Sequence, residues 1–128
     1  AVVSLSAFAH PREVMRGLMA EKRVPYPVLG WYVMRHVQRV IGTHFDDIAP
    51  VNTIAHVQCP VLVVHGREDT VVPAGDAARL VSRSGRARLL QLDGDHDLRE
   101  ALAPHAATVM GFLRAACTTE TRSPDGVT

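Results

Sequence analysis

The chain has 128 residues, 47% of them apolar, and 14 Lys and Arg against 13 Asp and Glu for a net charge of +1. That length and apolar content suit one folded domain rather than two or a disordered chain, and the interspersed charges leave no footprint for nucleic acid or an anionic membrane surface. No run approaches the roughly 20 apolar residues that span a bilayer, and the two cysteines, Cys59 and Cys117, suit neither a metal site nor a disulfide framework, so a reducing, cytoplasmic setting is expected.

In chain order, "VVSLSAF" at residues 2–8 is predicted to be a strand that leaves the core at His10-Pro11. It lacks the basic start of a signal peptide. The chain opens without methionine inside this apolar run, so it is expected to be part of a longer fold. Residues 12–23 place Val14, Met15, Leu18 and Met19 on one helical face, and residues 28–42 repeat the period beyond Pro25 and Pro27. In the second helix Trp31, Tyr32 and Met34 are candidates for a substrate pocket, with ordinary packing as the competing reading. Residues 45–60, with prolines near each end and no sustained period, are predicted to be a connector crossing the surface.

"PVLVVHG" at residues 60–66 is a continuous apolar run, the pattern of a strand buried on both faces of a parallel sheet. A short amphipathic helix at 74–84 stops at Gly85, and "ARLLQLD" at 87–93 is a third strand, completing a strand-helix-strand unit. A last helix covers 105–116, and residues 117–128 have the composition of a flexible tail. Three strands separated by helices predict an α/β fold with a mostly parallel sheet.

Loops beyond the carboxyl ends of parallel strands converge on ligands. Asp69 lies three residues past one such end and His96 three past another. If the strands are neighbours, the carboxylate reaches imidazole Nδ1, fixes the tautomer, and stabilises the imidazolium formed when Nε2 takes a proton. Each residue also has a plainer reading. Asp69 could be a turn residue bonding its own backbone, and His96, between Asp95 and Asp97, a solvated loop histidine. His65 at a strand end is expected to be buried and hydrogen-bonded. No cofactor or metal is expected, because His65, Asp69, His96 and Asp97 match no ligand spacing.

"CPVLVVHGREDTVVP", then "LLQLDGDHD", then "VMGFLRAA" resemble the C-terminal half of an α/β-hydrolase of the serine-hydrolase type, over about Cys59 to Ala116. The resemblance implies that Asp69 is the triad acid and His96 the triad base. It also implies that residues 1–116 are the C-terminal portion of one such domain, with residues 11–56 as a cap-like helical insertion and connector. The family's nucleophile sits in a G-x-S-x-G turn, and this sequence has none. Ser4 and Ser6 lie within the predicted first strand without flanking glycines, and Cys59 precedes a strand rather than following one.

The function expected by resemblance is hydrolysis of small carboxylic esters, before amides, by a Ser-Asp-His triad of which this chain supplies acid and base. Alone it would be inactive. The alternatives are relatives with an aspartate nucleophile, epoxide hydrolases or dehalogenases, and a non-catalytic interaction module. The partner expected besides substrate is an N-terminal half of the fold, or a second copy paired along residues 2–8.

Overall fold

The computed structural model describes residues 1–120 and contains one sheet of three parallel strands. Strand β1 is Val2–Leu5; β2, Val61–Gly66, is central; β3, Ala87–Leu92, lies on the far side. Val2 stands opposite Val61, and Val61 opposite Ala87, so the carboxyl ends of all three strands finish along one edge of the sheet. This is an α/β fold.

Every residue of β2 is buried, as its unbroken apolar run predicts. Its side chains alternate between two cores. Val61 and Val63 meet Ala77 and Leu80 of a helix at Ala74–Ser82, whereas Leu62 and Val64 meet Leu92, Leu98 and the partly buried Val109 and Phe112 of a helix at Ala106–Glu120. Helical layers therefore cover both faces. Leu80 and Leu92 are among the largest fully buried side chains, each worth about 1.5–3 kcal/mol relative to exposure.

The helices, in chain order, are α1 (Pro11–Glu21), α2 (Trp31–Ile41), α3 (Phe45–Ile48), α4 (Pro50–Thr53), α5 (Ala74–Ser82), α6 (Arg99–Leu102) and α7 (Ala106–Glu120). Pro11 occupies the first turn of α1, where its lack of an N–H costs nothing, and His10 Nδ1 accepts from Arg12 N at 3.1 Å. The helix ends with Arg23 at φ 54, while Val24 N donates to Met19 O and Arg23 N to Ala20 O. That pattern is a Schellman cap with arginine in the position glycine usually takes. A single wide turn at Tyr26–Gly30 leads directly into α2, which stops at left-handed Gly42. Met19, Met34 and Phe45 form a separate small core for this helical region.

Three sequence expectations change here. The first strand stops at Leu5 rather than at residue 8, because Ser6 turns to φ 47 and leaves extended geometry. Residues 45–60 are not a surface connector: Phe45, Ala49, Val51 and Ile54 are buried, and Val51 N donates to Ala9 O at 3.0 Å. Pro50 splits the segment into two single-turn helices too short to show a period, which hides its apolar face from sequence inspection. Residues 117–120 continue α7 instead of starting a tail, and the rest of that tail, 121–128, lies outside the described residues. Among the described residues no helix is long and apolar enough to cross a membrane.

Candidate active site

Beyond β2 the chain turns sharply at Gly66. A Cβ there would overlap the carbonyl oxygens of Gly94 and Asp95, so the residue must be glycine for the loop after β3 to lie against the end of β2. Arg67 N donates to Leu92 O at 2.9 Å and Glu68 N to Gly94 O at 3.0 Å, which ties the two loops backbone to backbone. Between the loops, Asp69 meets His96.

Asp69 uses its two oxygens differently. Oδ1 accepts from the N–H groups of Val71 and Val72, both at 2.8 Å, while Oδ2 accepts from His96 Nδ1 at 2.9 Å. The plain turn reading of Asp69 thus holds at one oxygen, and the other meets the His96 ring. Its side chain is 0% exposed and that of His96 45%, so the carboxylate is sealed while the imidazole keeps a solvent-facing side. Burial acts to raise the Asp69 pKa, but the N–H bonds from Val72 and Val71 and the His96 contact outweigh it and hold the carboxyl below its ordinary value. An ionised carboxylate only accepts, so Nδ1 of His96 carries a proton, and in the neutral ring the lone pair is then on Nε2.

His65 is the second imidazole at this acid. It is fully buried, and its Nε2–H donates to Val72 O at 3.0 Å while standing 3.6 Å from Asp69 Oδ2. With Nε2 protonated, Nδ1 is an acceptor, and it is a buried polar atom without a partner. His65 thereby braces the Val72 carbonyl of the same turn whose amides hold Asp69. The expected buried, hydrogen-bonded strand-end histidine is what the fold contains.

The neighbouring carboxylates are held chiefly by arginines, although Asp97 also feels the charge of His96. Asp97 is bound to Arg99, whose hydrogen bonds lower its pKa to about 2, and Arg67 pairs with Asp93 at 2.8 Å. Among the described residues no three His, Cys, Asp or Glu side chains are grouped so as to hold a metal ion.

Of the three candidates on the second helix, Trp31 and Met34, three positions apart, line one small pocket with Arg12, Tyr26, Arg35 and Gln38, and Tyr32 does not join them. Met34 is 5% exposed and packs on Met19 and Phe45, so it belongs mainly to the core of this helical region. Trp31 and Tyr32 are 60% and 62% exposed, Trp31 under the Arg35 guanidinium and Tyr32 stacked on His36. Consecutive helical positions point about 100° apart, so one face of α2 cannot hold all three. The cap is rooted through Ala9 N, which donates to buried Asp76 Oδ2 at 2.8 Å, and through Arg79, which reaches both Glu13 and Asp76.

Ser6 is the residue at this edge that sequence inspection places wrongly. It lies beyond the end of β1, and its Oγ donates to the main-chain carbonyl of His96 at 3.2 Å, not to the ring. Nothing in the apolar pattern of residues 2–8 marks this turn. No protein-family model and no curated protein matches the chain.

Proposed function

We propose that Asp69 and His96 are the acid and base of a hydrolase of the α/β-hydrolase class, acting on small carboxylic esters through a serine nucleophile. The observation that carries this reading is the 2.9 Å bond from His96 Nδ1 to a sealed carboxylate, on a histidine whose side chain is 45% exposed. Nε2 takes the proton of the attacking hydroxyl as oxygen adds to the ester carbonyl, then gives it to the departing alkoxide. Water repeats the sequence on the acyl group. Asp69 stabilises the imidazolium and remains ionised throughout.

The nucleophile in this reading comes from outside the described residues: the sequence has no G-x-S-x-G turn, and Ser6 Oγ donates to the His96 carbonyl rather than to its ring. Without it and the amides of an oxyanion hole, the chain lacks covalent catalysis and the main electrostatic contribution, so residues 1–128 alone are expected to leave aryl esters at the buffer rate. The test joins the chain to whatever its reading frame encodes ahead of Ala1 and measures hydrolysis of a p-nitrophenyl ester and of an aryl epoxide. Ester turnover with a burst of nitrophenol, lost in His96→Ala, is expected. Epoxide opening instead would replace serine by an aspartate nucleophile, and ester turnover indifferent to His96 would overturn the assignment.

A further inference from the structure

The carboxyl ends of the strands are joined by a contact that skips a strand. Ser6 follows β1 and His96 follows β3, with β2 between them, yet Ser6 Oγ donates to His96 O at 3.2 Å. Neighbouring strands are about 4.8 Å apart, so this bond closes a gap of about 10 Å across the end of β2. The backbone makes the reach possible. Ser6 N still donates to Val64 O at 2.9 Å, completing the ladder, and the residue then adopts φ 47. A non-glycine residue in the left-handed region is uncommon and strained.

That conformation would be cheaper with glycine. Serine retains the cost and adds one thing, a hydroxyl over the His96 carbonyl. His96 is then held at two points: its ring by Asp69 after β2, and its main chain by Ser6 after β1. The polar contacts of that loop at and beyond Asp95, Asp97 N to Asp95 Oδ1 and Arg99 to Asp97, are internal and exposed, and the Arg67 bond to Asp93 lies ahead of His96. Arg67 N and Glu68 N tie the loop too, but at Leu92 and Gly94, ahead of His96.

We propose that Ser6 is a positioning residue for His96, fixing the main chain of the base across the end of β2 so that its ring stays on Asp69. This rests on reading Asp69 and His96 as the acid-base pair. The consequence is a dissociation between fold stability and order at His96. Ser6→Gly relieves the left-handed strain but removes the hydroxyl; Ser6→Thr keeps the hydroxyl but puts a β-branched side chain in a conformation it resists.

The experiment uses the 128-residue chain and two readouts: the exchange lifetime with water of the His96 Nδ1 proton, by NMR, and thermal stability. Ser6→Gly is expected to unfold no earlier than the parent while the proton lifetime falls about fivefold to tenfold. Ser6→Thr is expected to lose stability yet keep a lifetime near the parent's. A lifetime in Ser6→Gly within twofold of the parent overturns the proposal, as does one that simply follows stability across the variants. Should Ser6→Thr not fold, Ser6→Ala decides: it keeps Cβ and the strain, and must shorten the lifetime as glycine does. Labelling of Ser6 by a fluorophosphonate would also overturn it by showing a nucleophile instead. If the parent shows no Asp69-dependent Nδ1 proton at all, the acid-base reading itself has failed, and the Ser6 role with it.

Discussion

The strand-end loops and the helical cap are both rich in side chains that look functional, and they are built on opposite plans. At the strand ends polar groups are fixed by neighbours far away in sequence: Asp69 by His96, His96 by Ser6, Arg67 by Asp93. In the cap, Met19, Met34 and Phe45 form a small core, while Val28, Trp31, Tyr32 and Val40 remain largely exposed. The loops hold their polar side chains in place by hydrogen bonds; the helical region combines a few apolar contacts with exposed ion pairs such as His10–Asp46 and Arg79–Glu13 and leaves much of its apolar surface unused. Substitutions at the strand ends should therefore act on function through geometry, and substitutions in the cap on stability through packing.

The sharpest contrast is expected at Asp69. In the protein completed by its upstream reading frame, Asp69→Asn should lower kcat by about 10⁴, because the amide donates toward His96 Nδ1 and selects the wrong tautomer. The fold should survive, since the asparagine oxygen still accepts from Val71 and Val72. Steady-state kinetics beside circular dichroism check both halves. A loss of structure matching the loss of rate would erase the distinction between the two regions.

Gly66→Ala should come next, with destabilisation of about 3 kcal/mol by denaturant unfolding, because the new methyl group meets backbone carbonyls that cannot swing aside. Within the cap, Met34→Ala should cost about 2–3 kcal/mol, and Trp31→Ala or Tyr32→Ala less than about 0.5 kcal/mol. If Trp31 proved the costlier site, the assignment of the buried face of α2 would be wrong.

How much of this was legible in the sequence divides along the same line. The run at residues 60–66 and the positions of Asp69 and His96 just past two strand ends can be read directly, because a buried parallel strand has a distinctive pattern and its carboxyl end fixes where a loop side chain emerges. Helical period locates α1 and α2 but does not choose between faces when Trp31, Tyr32 and Met34 are all apolar. Only the contact with Phe45 chooses, and Phe45 sits in a segment whose single-turn helices show no period. Ser6 was hidden for a related reason: the apolar and small residues around it fit a strand, and the turn there depends on a partner 90 positions away.

A smaller effect follows from the depressed Asp69 pKa. A carboxyl whose pKa is lower folded than unfolded contributes stability above the unfolded value, about 3.9, and loses it as pH falls through the folded value. Unfolding midpoints should therefore decline more steeply on acidification below about pH 4 in the parent chain than in Asp69→Asn. Equal slopes would remove Asp69 from the acid sensitivity of the fold.

The most direct measurement is the tautomer of His96, read from ring nitrogen shifts and their couplings to ring protons in the 128-residue chain at neutral pH. A neutral ring with its proton on Nδ1, reverting toward the Nε2–H form in Asp69→Asn, is the expected result. A neutral ring with its proton on Nε2 only, or an averaged mixture that Asp69→Asn leaves unchanged, would contradict the pairing of acid and base on which the proposed chemistry stands.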